Sequence, residues 1–219
     1  MLPIVFEDSI EVPEWVEDLE SFRRWARSDE FPQRGRIAYF EGKVWIEMSM
    51  ETVIHNQAKF CISTKLDNHV TKNALGRLFA DGMRLTHPEA NLSTESDLLF
   101  ASKETLQRQR LQIKKGAAES ELVGTPDMVL EVVSTSSVQK DTVILPQLYW
   151  NAGVTEYWLV DPRGKEIRFE IRKRGANGFQ PVPARNGWLL SEVFGRAFRL
   201  SMTINGFELP VFKLEMKKR

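Results

Sequence analysis

The stretch Pro126-Asp-Met-Val-Leu-Glu-Val-Val-Ser134 decides the fold that this sequence predicts. Its apolar residues alternate over two faces with the period of a β-strand. They are Met128, Leu130 and Val132 on one face and Val129 and Val133 on the other. A strand that is apolar on both faces is typical of a sheet that helices cover on both sides.

Two acidic residues interrupt the second face of this strand. Asp127 and Glu131 lie on the side of the two valines. A carboxylate in a buried strand has to be partnered, protonated or bound to a cation, because a lone buried charge is costly. A buried pair of Glu131 with an arginine or lysine is the structural alternative to a cation site. For Asp127, which follows Pro126, the alternative is a strand-start residue that bonds local backbone.

The segment after this strand completes a βαβ unit. A turn at 134–137 and a helical stretch lead to Gly153-Val-Thr-Glu-Tyr-Trp-Leu-Val-Asp161, which has the pattern of a second strand. Two strands joined in this way are expected to be parallel, with a right-handed crossover. We therefore predict an α/β fold in which a mixed central sheet is flanked by helices.

Length and composition limit the functional classes. The chain has 219 residues, no net charge and one cysteine, which predicts one domain over 1–219 without a disulfide framework. Zero net charge counts mildly against a nucleic-acid partner but leaves room for a local basic patch. No long apolar run or signal peptide is evident, so we expect no membrane partner and a cytoplasmic location.

The rest of the chain supplies the other elements of the predicted fold. The central-sheet strands are predicted at 77–85, 97–100, 126–134, 155–160 and 166–172, with flanking helices near 53–72 and 142–152. An N-terminal helix at 16–27 and a hairpin around Glu41-Gly42 precede them, and the C-terminal region is β-rich. We interpret 86–95 as a loop and Lys217-Lys-Arg219 as a disordered basic tail.

A polar stretch from Lys103 to Lys115 contains five basic residues and is interpreted as helical or mobile. These residues could contact a phosphate backbone, but a solvated face is favoured.

Asp97 and Glu131 are the pair of residues that the sequence offers for a chemical role. If strands 97–100 and 127–134 pair antiparallel, the start of one lies beside the end of the other, and the two carboxylates come together. Carboxylate oxygens are the ligands that Mg²⁺ and Mn²⁺ prefer. Such a cation can bind a scissile phosphate and lower the pKa of an attacking water. For Asp97 alone, a turn-capping role is the structural alternative.

These residues resemble a known family. Asp97, the Pro126-Asp-x-x-x-Glu-Val-x-Ser pattern and Gly153-Val-x-Glu-Tyr-Trp are similar to the Uma2 family, together with Phe40-Glu-Gly42, Met48-Ser49 and His55. The family is described as restriction-type endonucleases and has the PD-(D/E)XK nuclease fold. The resemblance covers about residues 35–172 and implies a restriction-endonuclease-like α/β fold.

The resemblance implies a role for each matching residue. Asp97 and Glu131 match the two metal-binding acids, so it implies a Mg²⁺- or Mn²⁺-dependent endonuclease that cleaves DNA. His55 matches a recurrent helix histidine, although a core-edge histidine is the favoured structural interpretation. Asp127 and Asp141 match further family acids, which would lie behind the ligands or cap local structure. Restriction-type folds often act as dimers, so a homodimer is also an expectation.

The sequence departs from the family pattern at four positions. Val133 stands where a Glu-x-Lys motif has its lysine, and Leu145 occupies the position of the helix lysine that Uma2 proteins use instead. Ser96 and Met50 replace prolines. Lys140 lies close by and is the candidate substitute. The alternative is a Uma2-fold protein that has lost catalysis and acts as a nucleic-acid or protein binding module.

Overall fold

The computed structural model describes residues 10–49, 51–114 and 121–218. The expectations for residues 1–9, Met50, Lys115 and Arg219 fall outside this part of the chain. The described residues form two six-stranded mixed sheets, a three-stranded antiparallel sheet and few helices. None of these helices combines the length and apolar content that a membrane crossing requires.

The strands in chain order are β1 Arg36–Phe40, β2 Lys43–Glu47, β3 Gly76–Ala80, β4 Arg84–His87, β5 Leu92–Glu95, β6 Leu98–Ser102, β7 Leu111–Lys114, β8 Glu121–Gly124, β9 Met128–Val132, β10 Glu156–Asp161, β11 Arg168–Gly175, β12 Gly178–Pro181, β13 Leu189–Ser191, β14 Arg196–Ile204 and β15 Pro210–Lys218. The helices are α1 Leu19–Ala26, α2 Val53–Lys72, α3 Lys103–Gln107 and α4 Leu145–Asn151, and a π-helical segment at Lys140–Ile144 precedes α4.

The central sheet has the order β12-β11-β10-β9-β6-β3. Strand β9 lies inside it, parallel to β10 and antiparallel to β6, and all five of its residues are buried. The sequence prediction of an α/β fold with an internal strand at 126–134 is therefore confirmed. The predicted hairpin is also confirmed, as β1 and β2, and the predicted helix 53–72 corresponds to α2.

Both faces of the central sheet are covered, as the apolar pattern of β9 requires. On one face, Leu130 and Val132 pack with α2 and with the sheet of β13, β14 and β15. On the other face, Val129 and Val133 pack with α4 and with the second six-stranded sheet, whose order is β2-β1-β5-β4-β8-β7. Glu131 lies on this second face, so its carboxylate reaches the space between the sheet and the π-helical segment.

The predicted strand at 77–85 is present only in its first part, as β3, and the predicted loop at 86–95 is wrong. Gly82 has a φ of +86° and turns the chain between β3 and β4, which belong to different sheets. Strands β4 and β5 then form an antiparallel hairpin within 84–95. This hairpin is hard to recognise because most of its buried residues are polar, for example Thr86 and Ser93, whose hydroxyls form a 2.9 Å hydrogen bond.

The predicted start of the second flanking helix near Thr142 is also wrong, because helical residues begin at 138. Pro146 has no N–H, so it cannot donate within the helix. In the π register its acceptor would be the carbonyl of Asp141, and the hydroxyl of Tyr157 donates to that carbonyl instead, at 2.6 Å. A π-helical turn and an outside donor therefore accommodate the proline inside the helix.

Two further expectations need correction. Lys217 and Lys218 belong to β15, which pairs with β14 over nine residues, so this part of the expected disordered tail is ordered. The polar stretch from Lys103 contains the short helix α3 and the strand β7.

Glu156 ties the C-terminal sheet to the central sheet. Its carboxylate accepts hydrogen bonds from Trp158 Nε1 at 2.9 Å, Ser191 Oγ at 2.7 Å, and the backbone N–H groups of Glu192 and Val193 at 2.6 and 3.1 Å. Burial raises the pKa of Glu156, and these four donors oppose that shift. One buried carboxylate thus organises the turn that follows β13.

Replacing Glu156 with glutamine tests this anchor. The amide group of Glu156→Gln would point a donor at existing donors, so at least one buried group loses its partner. We expect the free energy of unfolding to fall by about 1–3 kcal/mol, measured by urea titration. The exposed neighbour Glu192 provides the matched control, Glu192→Gln, which should change stability little. Equal stabilities of the two variants would contradict the anchoring role.

Candidate active site

A cavity of about 40 Å³ lies at the carboxyl end of β9. Four parts of the chain surround it: the open end of the β1–β2 hairpin, the N-terminus of α2, the residue before β6, and the segment from the end of β9 through the π-helical turn. Asp97, Glu131, His55, Lys140 and Asp141 all line this cavity.

Asp97 and Glu131 are brought together by the pairing of β6 with β9. Leu98 pairs with Leu130 in antiparallel register, which puts the preceding Asp97 opposite Glu131. The backbone N–H of Val132 donates to Asp97 Oδ2 at 2.7 Å, and the N–H of Asp97 points at Glu131 Oε2 at 3.4 Å. Both side chains are almost completely buried.

The two carboxylates have opposite electrostatic environments. Burial acts to raise the pKa of Asp97, but the hydrogen bond from His55 and the charges of Arg36 and His55 lower it to about 2. Burial also raises the pKa of Glu131, and the negative charges of Asp97 and Asp141 raise it further, well above its usual value. Burial and the neighbouring carboxylates therefore disfavour the ionised form of Glu131.

His55 lies in the first turn of α2 and joins this helix to β9. Its Nε2 lies 2.6 Å from the carbonyl oxygen of Val132 and 3.4 Å from Asp97 Oδ2, and its Nδ1 lies 2.7 Å from Glu51 Oε1. Both ring nitrogens face acceptors, so the doubly protonated imidazolium fits this position. Burial acts to lower the pKa of His55, but Asp97 and Glu51 raise it overall.

Lys140 and Asp141 begin the π-helical turn beside Glu131. Lys140 Nζ donates to Glu47 Oε2 at 2.9 Å and lies 3.8 Å from Asp141 Oδ1. Ser137 Oγ donates to Asp141 Oδ2, whereas the buried Oδ1 has no hydrogen-bond partner among the described residues. Burial raises the pKa of Asp141 to about 7 against the opposing effects of Lys140 and Ser137.

Comparison with known proteins identifies the family. The Uma2 family, described as "putative restriction endonuclease", matches residues 19–211, which is most of the chain. The chain belongs to the Uma2 family. A crystal structure of a "putative nuclease belonging to DUF820" from Anabaena variabilis has the same fold, with a TM-score of 0.59 and 16% identity over 81% of this chain and 90% of the other. The curated proteins contain no match.

Two positions of the Uma2 pattern lie outside the cavity. Asp127 is at the opposite end of β9, where it accepts hydrogen bonds from the N–H of Ser102 at 2.6 Å and from Thr105 Oγ1 at 2.9 Å. It thus fixes the junction of β6 with α3. Leu145, at the position of the Uma2 helix lysine, is completely buried in the apolar core.

Several residues in and around the cavity were not predicted from the sequence. Arg36 donates from Nη1 to Asp97 Oδ1 at 3.1 Å and from Nη2 to Asp81 at 2.9 Å. Tyr149, interpreted above only as a core residue, donates from its hydroxyl to Glu131 Oε1 at 2.6 Å. Lys59 lies 2.5 Å from Glu51. His55 and Lys59 are four residues apart on one face of α2, and Glu51 lies just before the N-cap Thr52, so this spacing was the available signal.

The residues of the cavity fit a divalent cation of the Mg²⁺ type. Among the described residues, no group of three or more His, Cys, Asp or Glu side chains is arranged to hold a metal ion. Mg²⁺, however, binds through one or two carboxylates and keeps several waters. The raised pKa of Glu131 and the unpartnered oxygen of Asp141 mark two carboxyl groups whose ionised forms such a hydrated cation would stabilise.

The pH dependence of stability tests the charge network at the α2 N-terminus. Burial acts to raise the pKa of Glu51, but Lys59, Asn56 and His55 lower it from 4.5 to about 2. Because the pKa of Glu51 is lower in the folded than in the unfolded chain, the ionised carboxylate stabilises the folded state at a pH above its unfolded pKa. This stabilisation is lost as the pH falls from about 5 to about 2. The stability difference between the native chain and Glu51→Gln should therefore shrink over this range in urea titrations.

Glu41→Gln, at the exposed tip of the β1–β2 hairpin, is the matched control for Glu51→Gln. It should leave the pH profile unchanged. A profile that is unchanged by Glu51→Gln as well would contradict the network.

Proposed function

We propose that this Uma2 chain is a Mg²⁺-dependent endonuclease that hydrolyses phosphodiester bonds of DNA, with the cation held by Asp97 and Glu131. The observation that carries the proposal is the pairing of β6 with β9, which brings two buried carboxylates to one cavity. Membership of a family described as "putative restriction endonuclease" supports a nucleic-acid substrate.

The chain's own residues would divide the work as follows. A bound Mg²⁺ would polarise the scissile phosphate and lower the pKa of the attacking water. Asp97 and Glu131 hold the cation, and Arg36 and His55 fix the orientation of Asp97 through their contacts with its two oxygens. His55 also holds the carbonyl of Val132, so it acts as a positioning residue.

Lys140 is the proposed source of positive charge for the phosphate. Its ammonium lines the same cavity as the two acids, and its pKa is raised because nearby Asp141, Glu131 and Glu47 outweigh the effect of burial. A protonated lysine at this point can neutralise charge that builds on the phosphate in the transition state. Glu47 holds the ammonium at 2.9 Å and keeps the side chain directed along the cavity wall.

A second candidate function is a binding module that keeps the nuclease fold without catalysis. The observation that favours it is Leu145, which lies in the apolar core at the family's lysine position. Lys140 is also paired with acidic side chains, with Glu47 at 2.9 Å and Asp141 at 3.8 Å. The two candidates differ in cation binding and in cleavage, so they can be separated by experiment.

Glu131→Gln tests the proposed cation ligand. The amide keeps the shape of the side chain and removes its charge, so metal-dependent DNA cleavage should be abolished while the fold is retained. Stability should stay the same or rise, because a buried carboxylate with excess negative charge around it is costly. Cleavage is measured with Mg²⁺ or Mn²⁺ on plasmid DNA, and the melting temperature reports the fold. Unchanged cleavage at an unchanged melting temperature would place the activity elsewhere.

Lys140→Ala tests the proposed cationic group. We expect the cleavage rate to fall by about 10²–10³, the loss typical of one transition-state donor, with little change in Mn²⁺ affinity measured by calorimetry. An unchanged rate in Lys140→Ala would exclude Lys140 as the cationic group. If the native chain binds nucleic acid but cleaves none with Mg²⁺ or Mn²⁺, the binding module becomes the better account.

A further inference from the structure

A second cleft opens directly from the catalytic cavity. Its volume is about 350 Å³, and it shares Arg36, Glu47, Ser49 and Lys140 with the smaller cavity. One wall is the β1–β2 hairpin, and the other is formed by the turn and helix start that follow β9. A ligand group bound at the catalytic cavity would therefore continue into this cleft without leaving the protein surface.

The hairpin wall presents an aromatic ring. The indole of Trp45 stacks on Phe40, with ring centroids 4.8 Å apart and planes inclined by 20°. Trp45 is only half-buried and lines the cleft, so the uncovered part of its ring is available there. A flat apolar group can stack on such a surface.

The charges of the cleft determine which part of a nucleotide it suits. Arg36 and Lys140 lie where the cleft joins the cavity, which favours a phosphate at the junction. Glu47 also lies at this junction, where it pairs with Lys140, and away from the junction Glu95 would repel a second phosphate. The exposed amide of Gln139 and the hydroxyl of Ser136 can donate to and accept from the edge of a base.

The size of the cleft limits the ligand further. Sites for small organic ligands measure about 300–1,000 Å³, so this cleft is at the small end and has room for about one nucleotide. The bases of a duplex are paired and stacked inside the helix and enter a protein pocket only when they are flipped out. An unpaired base can stack on an aromatic side chain directly.

We infer that the cleft binds one unpaired nucleobase adjacent to the scissile phosphate, so that the substrate is single-stranded nucleic acid. This inference rests on the proposed function, because it takes the phosphate of the same strand to lie in the catalytic cavity. Trp45 stacks on the base, Gln139 contacts its edge, and Arg36 and Lys140 face the connecting phosphate.

The first test compares a single strand with the duplex of the same sequence. With Mg²⁺, the native protein should cleave the single strand faster, and Trp45→Leu should lower kcat/KM on the strand by about ten-fold, as expected for the loss of one base–aromatic stack. Trp45→Phe keeps a ring and should retain most of the activity. Equal cleavage of strand and duplex, with no effect of Trp45→Leu on either, would overturn the inference and leave the proposed function intact.

Two controls guard against indirect effects. Trp188→Leu removes an indole that contacts Arg199 and Lys217 and does not line the cleft, so it should not change the preference for a single strand. Gln139→Ala alters an exposed residue, which makes loss of folding improbable, and should change the relative cleavage of strands that differ only in base composition. Melting temperatures of all variants separate a stacking role from a packing role of Trp45.

A binding measurement in EDTA separates this inference from the proposed function. Fluorescence anisotropy of a labelled strand and its duplex reports on the cleft without requiring catalysis. If no nucleic acid is cleaved but the strand binds more tightly than the duplex and Trp45→Leu removes that preference, the proposed endonuclease fails and the base-binding cleft stands. Equal binding of both, unchanged by Trp45→Leu, would overturn the cleft.

Discussion

The candidate site depends on two buried carboxylates that lie side by side where β6 begins and β9 ends. The antiparallel pairing of β6 with β9 puts Asp97 opposite Glu131, and burial of such a pair is costly unless each charge is offset. On the Asp97 side the compensation is complete, with Arg36, His55 and the N–H of Val132 in contact. On the Glu131 side it is partial, because Asp97 and Asp141 raise the pKa of Glu131, and the proposed cation would complete the compensation.

The elements around Asp97 and Glu131 contribute the side chains that contact the pair or line the cavity beside it. The first turn of α2 contributes His55, the hairpin contributes Arg36 and Glu47, and the turn after β9 contributes Lys140. Pro146 forces a π-helical turn in the segment that carries Lys140, and the hydroxyl of Tyr157 satisfies the carbonyl that this proline cannot. A break in helical regularity thus lies beside the chemical site, as is common for π-helical turns.

The sequence was sufficient to predict what local pattern and pairing rules determine. The period of two in β9, the βαβ unit and the order of the acids identified the central sheet and the pair Asp97 and Glu131. The prediction failed at 84–95, where a hairpin of two strands buries mostly polar residues. It also failed at Asp81-Gly82, where the positive φ of Gly82 ends a strand that the apolar pattern continues. Local sequence does not reveal such tertiary contacts.

The partners of the site were harder to predict for the same reason. Arg36 lies 61 residues from Asp97 in sequence, and Glu47 lies 93 residues from Lys140, so neither contact has a local signal. Asp127 is a different case. Its place in the motif left two roles open, behind the ligands or capping local structure, and strand direction carries it to the far end of β9, where it bonds the start of α3 as a local cap would.

The most direct test of this account is a crystal structure of the protein soaked with Mn²⁺, read from the anomalous scattering of the ion. The account predicts one anomalous peak in the cavity, about 2.0–2.6 Å from an oxygen of Asp97 and an oxygen of Glu131. The carboxylate of Asp141 should be close enough to contact a water of the ion. A fully occupied Mn²⁺ elsewhere with none between Asp97 and Glu131, or no bound ion at saturating Mn²⁺, would contradict it.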